Sequence, residues 1–248
     1  MAGPRLTKIL WGAAIGAGAG AAIAHVAADP EPTTPIGRLP SPRAGQKRLP
    51  GASARGRMLD ITSIKDRCAE LARLIRKDGV NPKIHEAAKA MVAGKCGGEW
   101  CVAPRDWKGE CKALFKAITE ARSPYAVRYT CDMREADTFS SAERTLFETH
   151  AGDCDDFTVV FGALLMSIGY PVTIRVVQAK GSDTWSHVYV LAGVPPTGGA
   201  KEWFPLDGSV ETKPAGWQAP GAEAALRYGR PSGMITKTLD YPVPSLAG

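Results

Sequence analysis

Three residues in this chain have the types, order and surroundings that thiol nucleophilic catalysis requires. Cys154 stands in Gly152-Asp153-Cys154-Asp155-Asp156, directly ahead of an apolar run, Phe157, Val160, Phe161, Leu164 and Leu165, with helical spacing. His187 follows in Ser186-His187-Val188-Tyr189 and Asp207 in Pro205-Leu206-Asp207-Gly208, each in a β-branched or apolar run. A thiol at a helix N-terminus meets free N–H groups and the positive end of the helix dipole, which favour the thiolate and can hold an oxyanion. A histidine then takes the proton, and an acid that accepts the second ring N–H fixes the tautomer. The expectation is a thiol pKa below the free value of about 8.5. Asp153, Asp155 and Asp156 oppose this through their charge, unless they turn away and cap the helix.

The remaining histidines have weaker cases. His25 lies in an apolar segment, His85 is expected on an exposed helix face, and His150 just precedes the Cys154 helix. Along its strand His187 shares a face with Tyr189 and Leu191, opposite Val188 and Val190. Of six cysteines, five remain beside Cys154: Cys68, Cys96, Cys101, Cys111 and Cys131. Disulfides among Cys96, Cys101 and Cys111 are open to an exported protein. The same three make a poor zinc set, with irregular spacing and no nearby histidine, so no metal or organic cofactor is expected.

The elements that must position the triad are readable around it. Ile64, Cys68, Leu71, Leu74 and Ile75 fall on one face of a helix opened by Thr62 or Ser63 and closed by Gly79. Asn81-Pro82 opens a second helix ending at Gly94, and Asp106 a third that turns Trp107, Cys111, Leu114, Phe115 and Ile118 inward. Ser140 and Glu143 have the spacing of a capping box for a short helix holding Leu146 and Phe147. Gly169 and Pro171 end the Cys154 helix, and apolar runs at 172–178, 185–192 and 202–207 follow as an antiparallel sheet. Helices, a packed central helix and then a sheet make an α+β fold.

Four segments result: an apolar segment 1–28, a Pro-rich basic linker 29–57, a catalytic domain 58–210 and a Pro/Gly-rich wrapping tail 211–248 with a short helix at 221–228. Residues 9–28 carry no charged side chain and follow Arg5 and Lys8, which fits a signal peptide or a membrane anchor. The net charge of +6 resides in residues 1–58, where eight basic residues face two acidic ones; the other 23 basic and 23 acidic residues cancel. No basic face is left on the folded part for nucleic acid.

The Gly-Asp-Cys-Asp-Asp, Ser-His-Val-Tyr and Pro-Leu-Asp-Gly motifs together resemble the core of the transglutaminase-like superfamily, over roughly residues 60–210. Arg128-Tyr129 and the acidic stretch 132–137 extend the likeness. The resemblance is closest to bacterial and phage members, and implies a papain-like cysteine enzyme acting on a peptide or glutamine-type amide. Cys154 would be nucleophile, His187 base, Asp207 orienting acid, and Tyr129 a support of the oxyanion site with Asp153 and Asp155 beside it. It implies a protein or peptide substrate and a place in a bacterial envelope or a phage particle. Papain-like peptidoglycan endopeptidases share the Cys-then-His order but carry Asp-Cys-Ser, which is absent here. A non-catalytic module of the same fold, serving in a particle or envelope, is the alternative; the retained Cys, His and Asp argue against it.

Overall fold

A computed structural model describes residues 63–96, 99–130, 138–210, 212–228 and 233–246. The apolar segment, the basic linker, Cys131 and the acidic stretch 132–137 lie outside the described residues.

In chain order the elements are α1 (Ile64–Gly79), α2 (Pro82–Val92), β1 (Lys95–Cys96), β2 (Glu99–Trp100), α3 (Trp107–Thr119), β3 (Arg128–Tyr129), α4 (Ala142–Arg144), a π-turn (Thr145–Thr149) and β4 (Ala151–Gly152). Then come α5 (Cys154–Ser167), β5 (Val172–Ala179), β6 (His187–Val194), β7 (Glu202–Leu206), α6 (Ala222–Tyr228) and β8 (Ile235–Pro242).

Local chemistry starts the helices where the sequence asks. Ser63 and Asp66 close a capping box at α1, Asn81 with Pro82 starts α2, and Asp106 accepts the Gly109 N–H at α3. The short helix differs from expectation. Its cap is Ser141, which accepts the Arg144 N–H, because Glu143 is held by Asn81 and Lys83 instead of reaching back to its own helix. Ser140 donates its N–H to Asp156 of α5, 2.9 Å away. His85 is not exposed: its Nδ1 meets the Ser167 carbonyl at 2.9 Å and satisfies an orphan acceptor at the C-terminal end of α5.

Helix α5 is buried on nearly every side from Asp155 to Met166, which explains a sequence with little amphipathic contrast. Helices α1–α4 pack around it, and strands β5 and β6 pack on its remaining face. The main sheet is antiparallel throughout, in the order β7-β6-β5-β8. Ile174, Val176, Val188 and Val190 face α5 in the main core. Val177, Tyr189 and Leu191 face the other way, into a smaller cluster with Ala219, Ala222, Ala225 and Ile235. Both central strands are therefore buried on both faces, and both read as continuous apolar runs.

The segment after 210 departs from a wrapping tail. Residues 212–228 do cover the outer sheet face, but β8 pairs with β5 along its length. A bulge at Gln178/Ala179 flips the alternation, so Ile235 enters the outer cluster while Leu239 and Tyr241 pack on the main core. The three-cysteine cluster also dissolves. Cys111 is a free, fully buried residue of α3, and Cys101 is disulfide-bonded, so neither fits a shared zinc site.

Candidate active site

Cys154 is the first residue of α5, and the three carboxylates around it cap that helix. Asp153 is the N-cap: its side chain accepts the Asp155 N–H at 3.2 Å, and Asp156 reaches back to the Asp153 N–H at 3.3 Å. Gly152 is dictated by this turn, since a Cβ there would lie 2.5 Å from both Cβ and Oδ2 of Asp156. Residues 128–129 pair in parallel with 151–152, setting Tyr129 opposite Gly152, two residues from the thiol. Tyr129 is half-buried against the main core.

His187 begins β6 and Asp207 directly follows β7. Their side chains meet, Nε2 to Oδ2, at 2.7 Å, and both residues are buried. Nε2 is thus committed to the acid, and Nδ1 is the ring nitrogen through which a proton can be exchanged. The second Asp207 oxygen accepts the Ser209 hydroxyl at 2.8 Å. Sequence reading missed Ser209; the signal was its position two residues after the acid, where a short hydroxyl side chain can bond back. Gly208 is also set by packing, because a Cβ there would meet Phe161 Cε2 at 2.7 Å and Phe157 Cδ1 at 2.8 Å. Only glycine lets the turn after Asp207 sit this closely on α5.

The thiol comes to the same end of the sheet. The Val188 N–H, next to His187, donates to the Cys154 sulfur, and the Asp207 charge acts on it. The expected low thiol pKa does not hold. Burial pushes the Cys154 thiol well above its ordinary value, and the charges of Asp155, Asp153 and Asp207 push it the same way. The Val188 N–H opposes them without overcoming them. These effects together favour the neutral thiol over the thiolate at Cys154.

Asp155 is itself buried, and desolvation raises its carboxyl well above the usual carboxylate range, with the Asp153 carboxyl second. One oxygen of Asp155 has no hydrogen-bond partner. Oxygens of Asp153, Asp155 and Asp156 lie within 4.8 Å of one another, a donor set that hard cations favour. Of the weaker histidines, His150 ends the π-turn in a left-handed conformation with φ 51°, and His85 lies at the far end of α5.

No family model matches the chain, and no curated protein matches it. Among solved structures, the periplasmic domain of TgpA from Pseudomonas aeruginosa is similar at a TM-score of 0.38 and 14% identity, over 56% of this chain and 48% of that one. The match therefore spans about half of that domain.

Proposed function

We propose that the protein is a cysteine acyl-transfer enzyme of the transglutaminase-like kind, acting on a peptide or glutamine-type amide, with water as the usual acceptor. The observation that carries this reading is the 2.7 Å His187–Asp207 pair at the sheet end where the Val188 N–H also meets the Cys154 sulfur. His187 Nδ1 takes the thiol proton as Sγ bonds to the carbonyl carbon. The Cys154 N–H, which the Asp153 cap leaves open, faces the developing oxyanion with Tyr129 nearby. The imidazolium returns the proton to the leaving amine as the C–N bond breaks. Water then attacks the thioester, giving up a proton to His187, and the acid leaves as Cys154 regains its hydrogen. Asp207 keeps Nε2 protonated throughout.

An amide-mimetic electrophile and intact-mass analysis test this reading. One adduct on the full chain, lost in Cys154→Ala and at least about a hundredfold slower in His187→Ala, supports it. Labelling of Cys154 no faster than of a denatured cysteine rejects it. The raised thiol pKa favours a second reading, a non-catalytic module of the same fold, and rejection would leave that module standing.

Export or tethering through residues 9–28 belongs to the same proposal. The Cys101 disulfide supports an oxidising compartment such as the bacterial envelope. Among the described residues no helix is long and apolar enough to cross a membrane. Fractionation of cells expressing the full chain and a version starting at Met58 decides the matter: equal solubility in the cytoplasm would end the idea.

A further inference from the structure

The sheet face that carries His187 also carries a row of charge leading away from the proposed site. Arg175 pairs with Tyr189 across β5–β6 and with Asp240 across β5–β8. Asp207 follows β7 one step past the Val190–Leu206 pair, and its charge acts on Tyr189. The row therefore runs Asp207, Tyr189, Arg175, Asp240 across all four strands. Arg175 is buried and fully engaged. Nε and Nη2 each donate to Asp240 at 2.7 Å, and Nη1 donates to Glu223 at 2.6 Å and Gln218 at 2.8 Å. All three partners belong to the segment after residue 210.

Tyr189 stands between this cluster and the histidine. Its ring lies 5.8 Å from the His187 ring, tilted by 34°, and is 1% exposed. Its hydroxyl is buried, meets no hydrogen-bond partner at normal geometry, and has the Arg175 charge beside it. A bulky buried ring at this distance restricts where the imidazole can turn. A buried guanidinium bonded to three side chains of one segment ties the ring's position to that segment.

We infer that Tyr189 and Arg175 are positioning residues for His187, and that the segment carrying Gln218, Glu223 and Asp240 sets the histidine's geometry from the far side of the sheet. This rests on the proposed acyl-transfer reading for its consequence in turnover, but not for its structural content. Full-length protein labelled with ¹⁵N-histidine gives the ring tautomer of His187, assigned by its loss in His187→Ala. The wild type should show Nε2 protonated and Nδ1 bare. Tyr189→Leu and Arg175→Met should mix the tautomers and slow labelling of Cys154 about tenfold or more. Tyr189→Phe should restore both signals, because the ring and not the hydroxyl restricts the imidazole. Asp240→Asn, a milder change, should fall between wild type and Arg175→Met. A wild-type tautomer in folded Tyr189→Leu, or in Asp240→Asn should the leucine variant not fold, overturns the inference. Loss of the tautomer in Tyr189→Leu, with Cys154 inert in every protein including wild type, would uphold the positioning and reject the acyl-transfer reading alone.

Discussion

The thiol of Cys154 sits among three carboxylates and a buried sheet end, and this decides how it must behave with pH. Its pKa lies above the ordinary value, so the neutral form prevails near pH 7 and the thiolate fraction grows as pH rises. Alkylation of Cys154 should therefore accelerate steadily from pH 6 to pH 9. Cys68 and Cys111, buried and pushed up to about 11 and about 12, should stay silent in folded protein. A labelling rate that is flat across this range would contradict the charge argument. Asp155 offers a second test. Its folded-state carboxyl titrates above the unfolded one, so its burial opposes folding once pH exceeds the unfolded pKa of about 3.9. Asp155→Asn should thus raise the melting temperature at neutral pH, and the gain should vanish as pH falls below that value. Ser209→Ala leaves an Asp207 oxygen buried without its donor, at a cost of about 1–3 kcal/mol in chemical denaturation. The meeting of His187 and Asp207 was legible, because the two stand at the ends of neighbouring strands. The sign of the thiol shift was not, since it depends on how deeply the turn is buried.

Elements were read well where periodicity and caps agree, as in α1, α2 and α3, whose starts fall at Ser63, Asn81 and Asp106. The helix after Ser140 slipped by one residue because a tertiary partner, Lys83, competes for Glu143. Strand β8 was hidden for another reason. Ile235, Leu239 and Tyr241 do stand between polar residues, but Lys237 breaks their alternation and Pro231, Pro242 and Pro244 crowd the stretch and suggest a loop. The bulge at Gln178/Ala179 has no local sequence signal at all. Packing between elements also escapes pattern reading. Nothing in Leu-Asp-Gly announces that Gly208 must lie against Phe157 and Phe161. Gly208→Ala should therefore cost about 1–3 kcal/mol through overpacking. It should also move Asp207 away from His187, seen as altered His187 ring shifts in a protein that still folds.

At the scale of the whole molecule, the charge and the core occupy different parts of the chain. All of the net +6 falls within residues 1–58, and the described core begins at Ile64. A fragment of residues 58–248 should melt cooperatively and bind weakly to cation-exchange resin, whereas the full chain should be retained. A chain truncated after Val210 should fare differently. It removes β8 and all three partners of Arg175, leaving a guanidinium with 3% side-chain exposure to be hydrated or expelled. Loss of one partner of such a pair costs about 3–5 kcal/mol, comparable with a domain's entire stability. Circular dichroism should show no cooperative transition for residues 58–210, and a normal melt would mean that the last strand is dispensable.

The place of β8 next to β5 also has a consequence in time. Synthesis runs from the N-terminus, so Cys154, His187 and Asp207 all leave the ribosome before Ile235 does. A nascent chain halted before that residue already holds the three proposed reactive side chains, yet its Arg175 still lacks Asp240 and its fourth strand. Sheet closure must wait for residues 235–242 to emerge, which makes the arrival of the last strand a built-in delay between making the proposed nucleophile and completing the sheet that holds its proposed base.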